Sequence, residues 1–150
     1  MFVTSPNITE IRNSSGQTIE SDGVLGWESL TLISEDGDNE DEFHIDGDFR
    51  LELDVDELTI GSTGISNYFL SGKARFANIG LFDGDGRVEA GDLEIKELEL
   101  FHRGTQRMIV RPINSIRGEI RGLGDVIAKN RPPFVNVETF FTGALIFEGE

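Results

Sequence analysis

The chain has 150 residues, 37% of them hydrophobic, with 18 glycines, 4 prolines and no cysteine. That length can enclose one core, but the composition favours a thin, turn-rich build, and the missing cysteine excludes disulfides, thiolate metal sites and thiol nucleophiles. Twenty-eight acids against 13 bases leave a formal net charge of −15, which opposes binding to nucleic-acid phosphates and to anionic lipid.

The charge is uneven along the chain. Residues 1–72 hold 16 acids and 2 bases, a net of −14, whereas 73–150 hold 12 acids and 11 bases, a net of −1. From the N-terminus, MFVTSPNITE carries neither the basic start nor the apolar stretch of a secretion signal. Segment 34–48, SEDGDNEDEFHIDGD, reads as an acidic loop inserted between repeats. Beyond it, apolar residues alternate in short runs, as in Leu51, Leu53 and Val55, which is strand period. The best helical rival, DLEIKELELF at 92–101, places its apolar residues at 93, 95, 98 and 100, alternating on either side of one skipped position. This predicts a strand bent once at a corner. Phe134 to Val137 ends the series as a further short strand.

The spacing of these runs carries more than any one of them. Glycines at 16, 37, 64, 84, 104, 124 and 143 follow one another at intervals of 21, 27, 20, 20, 20 and 19, and the long interval contains the acidic loop. A two-by-two apolar template recurs as Leu53/Val55/Leu58/Ile60, Ala74/Phe76/Ile79/Leu81 and Leu93/Ile95/Leu98/Leu100, in steps of 21 and 19. Ile113, Ile116 and Ile120, then Val135, Val137 and Phe140, follow it loosely. Twenty residues at about 3.3 Å each make a path of roughly 66 Å, a triangle with sides near 20 Å around one layer of apolar side chains. Such coils bond to those above and below and are stable only when stacked. The expectation is an all-β fold: a single-stranded, right-handed parallel β-helix with coils of about twenty residues and corner glycines at positive φ. An antiparallel sandwich would show turns every 8–12 residues instead.

The stretch RGEIRGLGDVIAKNRPPFVNVETFFTGALIF at 117–147 resembles the closing segment of the putative auto-transporter adhesin, head GIN domain family of Bacteroidetes envelope proteins. The matching positions are Gly122, Gly124, Asp125 and Val126, then Asn130, Pro132, Pro133, Val135, Val137 and Gly143. VTSPNITEIRNSSG at 3–16 and FDGDGRVEAGDL at 82–93 are similar to the repeating coils of that family. The resemblance implies a parallel β-helix, export to the cell envelope (periplasm or outer-membrane surface), lipoprotein attachment and no known catalytic residues. VTSPNITEI reads like the middle of a coil, so 1–150 is expected to be one β-helix domain, a fragment lacking its signal and first coils.

Two acidic strings invite a calcium reading. Asp83-Gly-Asp85-Gly86-Arg-Val88 mimics half of an EF-hand loop, but its first ligand position falls on Leu81, and a hard cation needs six to eight oxygens. Asp36 and Asp38 head the carboxylates of the insertion, where Asp41 stands in place of the required glycine. A turn and a solvated loop explain these residues more cheaply, so no cofactor is expected and calcium at Asp36, Asp38, Asp83 and Asp85 is the weaker reading. Arg87 and Arg107 are separated by one repeat of 20, as are Arg111 and Arg131, which predicts basic rows balanced by Glu89, Asp92 and Glu94. Trp27 and Tyr68 are expected to pack in the core, and His44 and His102 to lie at the surface or in turns. The functional expectation is a non-enzymatic envelope module, adhesin-like, that binds a protein or glycan and forms an end-to-end homodimer. The alternative is a polysaccharide lyase or glycosidase on the same scaffold, which would need paired carboxylates beside aromatics.

Overall fold

The computed structural model describes residues 10–12, 18–26, 28–34, 48–62, 67–82 and 86–148. In chain order the strands are β1 (Glu10–Arg12), β2 (Ile19–Leu25), β3 (Ser29–Ser34), β4 (Phe49–Ser62), β5 (Asn67–Leu81), β6 (Arg87–His102), β7 (Met108–Ile120), β8 (Val126–Ala128), β9 (Phe134–Thr139) and β10 (Leu145–Phe147). Every pairing among them is parallel. The long strands are bent. Between β4 and β5 the register runs from Phe49↔Tyr68 to Val55↔Ala74, skips Asp56 opposite Arg75, and resumes at Glu57↔Phe76. Each long strand therefore supplies two sides of a coil, as the skipped position within 92–101 predicts. The first face stacks β2, the leading halves of β4 to β7, β8 and β10; the second stacks β1, β3, the trailing halves of β4 to β7, and β9. The result is the parallel β-solenoid expected from the period.

Partner positions show the pitch. Phe49↔Tyr68 is a step of 19, Tyr68↔Val88 a step of 20, Ala77↔Leu98 a step of 21 and Met108↔Val126 a step of 18. Ser29↔Glu57 is a step of 28, and since β3 and β4 pair without interruption, the surplus falls between Ser34 and Phe49, where the acidic segment lies. Residues 35–47 themselves are outside the described set, as are Trp27 and Gly84.

Columns of inward side chains rise through the tiers: Leu58, Ala77, Leu98 and Ile116 form one, and Val55, Ala74 and Ile95 another, all buried. Alternating large with small residues lets a single layer fill the lumen, and each large side chain so buried contributes about 1.5–3 kcal/mol. Phe49 and Tyr68 stack at 5.0 Å with their rings 5° from parallel, both wholly buried. The apolar template is corrected in one coil. Leu53, Val55, Leu58 and Ile60 sit beneath Gly72, Ala74, Ala77 and Ile79, a step of 19 rather than 21, and Phe76 pairs with Glu57 on the outside. The small Ala77 weakens the apolar signal, and Phe76 supplies a false one. Ile113 and Phe140 likewise lie outside the core, while Ile116 and Ile120 lie within it.

The corner glycines stack, but for a different reason from the one expected. The Gly124 amide donates to the Gly104 carbonyl at 3.1 Å, and that of Gly143 to Gly122 at 3.0 Å. Among the described residues the positive φ angles belong to Gly23, Gly72 and Gly118, all inside strands. At Gly124 the constraint is closeness: an added Cβ would strike the Gln106 carbonyl oxygen of the tier below.

His102 is not a surface residue. It continues the inner column of Ser62 and Leu81, beneath Ile120, and is wholly buried. Its Nε2 lies 2.7 Å from the Gln106 carbonyl oxygen, while Nδ1 has no partner among the described residues. Burial pushes its pKa below the ordinary value near 6.5, outweighing the Gln106 hydrogen bond and the nearby Asp125 carboxylate, which act the other way.

Two stability measurements follow from these positions. Gly118 has φ +138°, and a Cβ there would fall onto the Leu100 carbonyl oxygen, whereas Gly23, at φ +91°, has open space around it. Urea denaturation should find Gly118→Ala destabilised by about 1–3 kcal/mol or more, and Gly23→Ala by the backbone strain alone, about 1 kcal/mol. For His102, the unfolded chain binds a proton below about pH 6.5 that the folded chain resists. The stability it confers is full above that pH and is lost as pH falls toward its lowered folded value. Melting curves from pH 8 down to 5 should show His102→Leu with a shallower loss than the parent chain.

Candidate functional site

On the first face the outward side chains also form columns. One runs Glu20, Arg50, Phe69, Glu89, Ile109, Ile127 and Ile146; beside it run Glu52, Ser71 and Asp92, then Asp54, Lys73, Glu94 and Arg111. The regular ladder breaks in β6. Against β5 the register jumps from Phe69↔Glu89 to Ser71↔Asp92, and against β7 from Glu89↔Ile109 to Glu94↔Arg111. Residues 90–93 thus bulge relative to both neighbours. Ala90 and Leu93 remain in the core, while Asp92 is thrown outward and the Gly91 carbonyl is freed to accept from Arg111 Nε at 2.8 Å. Bulges of this kind bend a strand and re-aim its side chains. Here the bulge forms the waist of a groove of about 830 Å³ that runs from Glu20, Arg50 and Glu52 at one end to Arg111, Lys129 and Glu148 at the other.

Some of the charges along the groove are held locally. Arg50 lies over the Phe69 ring at 4.3 Å, and Lys129 Nζ meets Glu148 at 2.9 Å. Glu89 is held by two arginines, Arg87 at 3.4 Å and Arg107 at 3.7 Å, so the first of the two basic rows exists and is balanced by Glu89 as expected. The second row does not form. Lys129, not Arg131, follows Arg111 in the next tier, and Arg131 sits over the Phe147 ring at 4.5 Å. The pitch here is 18, which carries a residue one repeat of 20 further on past the column. Among the described residues, the groove exposes Glu20, Glu52 and Asp92 toward its acidic end and the Arg111 guanidinium toward the other.

Glu52 and Asp92 flank Ser71, two tiers apart, which is about 9.6 Å at the backbone. Both are exposed. The arrangement suits recognition by hydrogen bonds and charge.

Of the calcium candidates, Asp36, Asp38, Asp83 and Asp85 all lie outside the described residues, as does His44. Among the described residues no three His, Asp or Glu side chains converge on a common point. The groove itself was not foreseen; the run Ala90-Gly91-Asp92, which interrupts the alternation of Val88 and Leu93, was its one signal. The closing motif proves to be an inter-tier clamp. Asp125 Oδ1 accepts from the Ala144 amide at 2.9 Å, Asn130 Nδ2 donates to the Pro112 carbonyl, and Gly122 and Gly124 allow the corners to touch.

The chain is thus a parallel solenoid carrying a lateral groove. The profile of the putative auto-transporter adhesin, head GIN domain family matches residues 1–132, and the chain belongs to that family. The match ends before Val135, Val137 and Gly143, on which part of the resemblance rested. The crystal structure of a putative adhesin from Bacteroides fragilis superposes with a TM-score of 0.83 at 22% identity, over 95% of this chain. This chain spans 62% of that one. No curated protein matches.

Proposed function

We propose that the chain is a non-enzymatic interaction module of a bacterial cell envelope, lipoprotein-like in its attachment, that presents the β6 groove to a protein or glycan partner. The observation that carries this reading is the break in β6. Residues 90–93 depart from both neighbouring strands and leave carboxylates and a guanidinium turned outward, whereas β4 and β5 keep one register along their whole length. The adhesin description of the family and of the Bacteroides neighbour supports surface display. The acidic end, with Glu20, Glu52 and Asp92, suits hydroxyl donors or a cationic group; the Arg111 end suits a carboxylate or other oxygen acceptor.

Glycan arrays and pull-down from an envelope extract, first with the parent chain, identify a partner. Asp92→Lys reverses a groove charge, and Gly91→Leu fills the waist, since a Cβ there already lies 3.1 Å from Lys129 Cε and 3.3 Å from Ile109 Cγ2. Each should weaken binding at least tenfold, about 1.4 kcal/mol. Arg117→Ala, on the second face, should bind as the parent does. Equal binding by all three variants would remove the groove from the proposal.

A further inference from the structure

Two irregularities at the same phase of the repeat bound the acidic part of the groove. In β2 the ladder passes from Glu20↔Arg50 to Val24↔Glu52, so residues 21–23 stand opposite Leu51 alone. In β6 it passes from Phe69↔Glu89 to Ser71↔Asp92, so residues 90–91 stand opposite Leu70. Leu51 and Leu70 are register partners in the unbroken ladder of β4 and β5, and both side chains are buried. Two regular rungs therefore lie between two bulged ones, and β2 to β6 is three steps of about 4.8 Å, roughly 14 Å. Each bulge is tied to a neighbouring strand. Ser21 Oγ accepts from the Glu52 amide at 3.0 Å, and Arg111 reaches back one tier to the Gly91 carbonyl at 2.8 Å.

The polar groups over these rungs are of both kinds. Glu20, Glu52 and Asp92 accept, Arg50 and Arg111 donate, and the Ser71 hydroxyl does either. A run of hydroxyls suits this mixture, because each hydroxyl can answer a carboxylate or a guanidinium. A protein partner would instead want apolar anchors at the centre of the contact. Among the described residues, none of the large apolar side chains that are exposed lines the groove, although Val24 adjoins Glu52 in the ladder. Charge narrows the class further. Three carboxylates beside two guanidiniums, in a chain of net charge −15, oppose uronate, sulfated and phosphorylated glycans. A fixed cation would in turn meet Arg50 and Arg111 among the carboxylates.

We propose that the groove takes a neutral oligosaccharide, laid along the solenoid axis over Leu51 and Leu70, with its hydroxyls bonded to Glu20, Glu52, Ser71, Asp92 and Arg111. This rests on the groove being the binding site and goes beyond that reading by choosing a glycan over a protein and a neutral glycan over a charged one. A volume of about 830 Å³ falls among clefts that hold drug-sized ligands, so several linked sugars fill it better than one.

Calorimetric titration of the 150-residue chain tests this with neutral gluco-, manno-, galacto- and N-acetylglucosamine series, from single sugars to hexasaccharides, beside oligogalacturonate and oligolysine. One neutral series should bind, at least about tenfold tighter as an oligosaccharide than as its single sugar. Its affinity should change less than about twofold between low and high salt, because no ion pair with the ligand is there to be screened. Ser71→Leu, at the half-buried midpoint, and Asp92→Ala, at an exposed position, should each weaken it at least about tenfold. Oligolysine or oligogalacturonate binding more tightly than every neutral series, and weakened by the same variants, would overturn the neutral glycan while leaving the groove as the site. Equal binding of a neutral series by the parent and both variants would remove the groove itself, and the proposal with it. Failure of every neutral series to bind would also overturn the proposal.

Discussion

The parallel backbone hydrogen bonds between tiers are the constraint on which the rest of this molecule depends. A coil with a pitch of only 18 to 21 has too little interior to hold itself, and its strand amides find acceptors only in the tier above or below. Adjacent tiers must therefore approach to about 4.8 Å along the whole perimeter, corners included. That requirement selects the residue types. Inward columns are built from Leu, Ile, Val and Ala, and the corner at Gly124 uses glycine because a Cβ there would meet Gln106 beneath. The buried His102 fits the same rule, with Nε2 against the Gln106 carbonyl at the inner side of that corner.

Once stacking fixes the backbone, the outer surface becomes a lattice on which charge can be placed. Lys73 with Asp54, Arg117 with Glu99, and Arg121 with Glu119 are pairs of this kind. The Arg121 bond holds the Glu119 carboxyl below its ordinary carboxylate range. Exposed pairs are screened by solvent, so their importance lies in cancelling charge more than in holding the fold. The β6 bulge departs from that lattice. It places a carbonyl, a carboxylate and a guanidinium within one groove, on a wall whose inner side remains packed by Ala90 and Leu93.

Much of the fold was legible because stacking repeats its demands. The period, the bent strand at 92–101 and the position of the acidic insertion all follow from the spacing of glycines and apolar pairs, and the strand pairing agrees. Register was harder to read. A step of 19 sets Ala77 in the lumen, and so small a residue carries little apolar signal, while Phe76 on the outside carries a strong one. His102 was hidden by its residue type, although the alternation of Leu98, Leu100 and position 102 points it inward. The groove was hidden more deeply, since it arises from an extra length of β6 relative to both neighbours, which only the pairing reveals. Even pitches of 20 predicted a row through Arg111 and Arg131 that a local pitch of 18 dissolves.

The claim that tiers stack at the stated pitch can be tested directly, because the cysteine-free chain accepts engineered pairs. Thr59 and Asn78 are register partners on the outer side of the second face, within the separation that a disulfide can bridge. Thr59→Cys combined with Asn78→Cys should oxidise to an intramolecular disulfide in the folded protein, seen as a shift on non-reducing gels and by mass. Thr59→Cys with Gly80→Cys, the pair that a pitch of 21 would align, should remain reduced. Preferential cross-linking of the second pair, or of neither, would contradict the stacking described here.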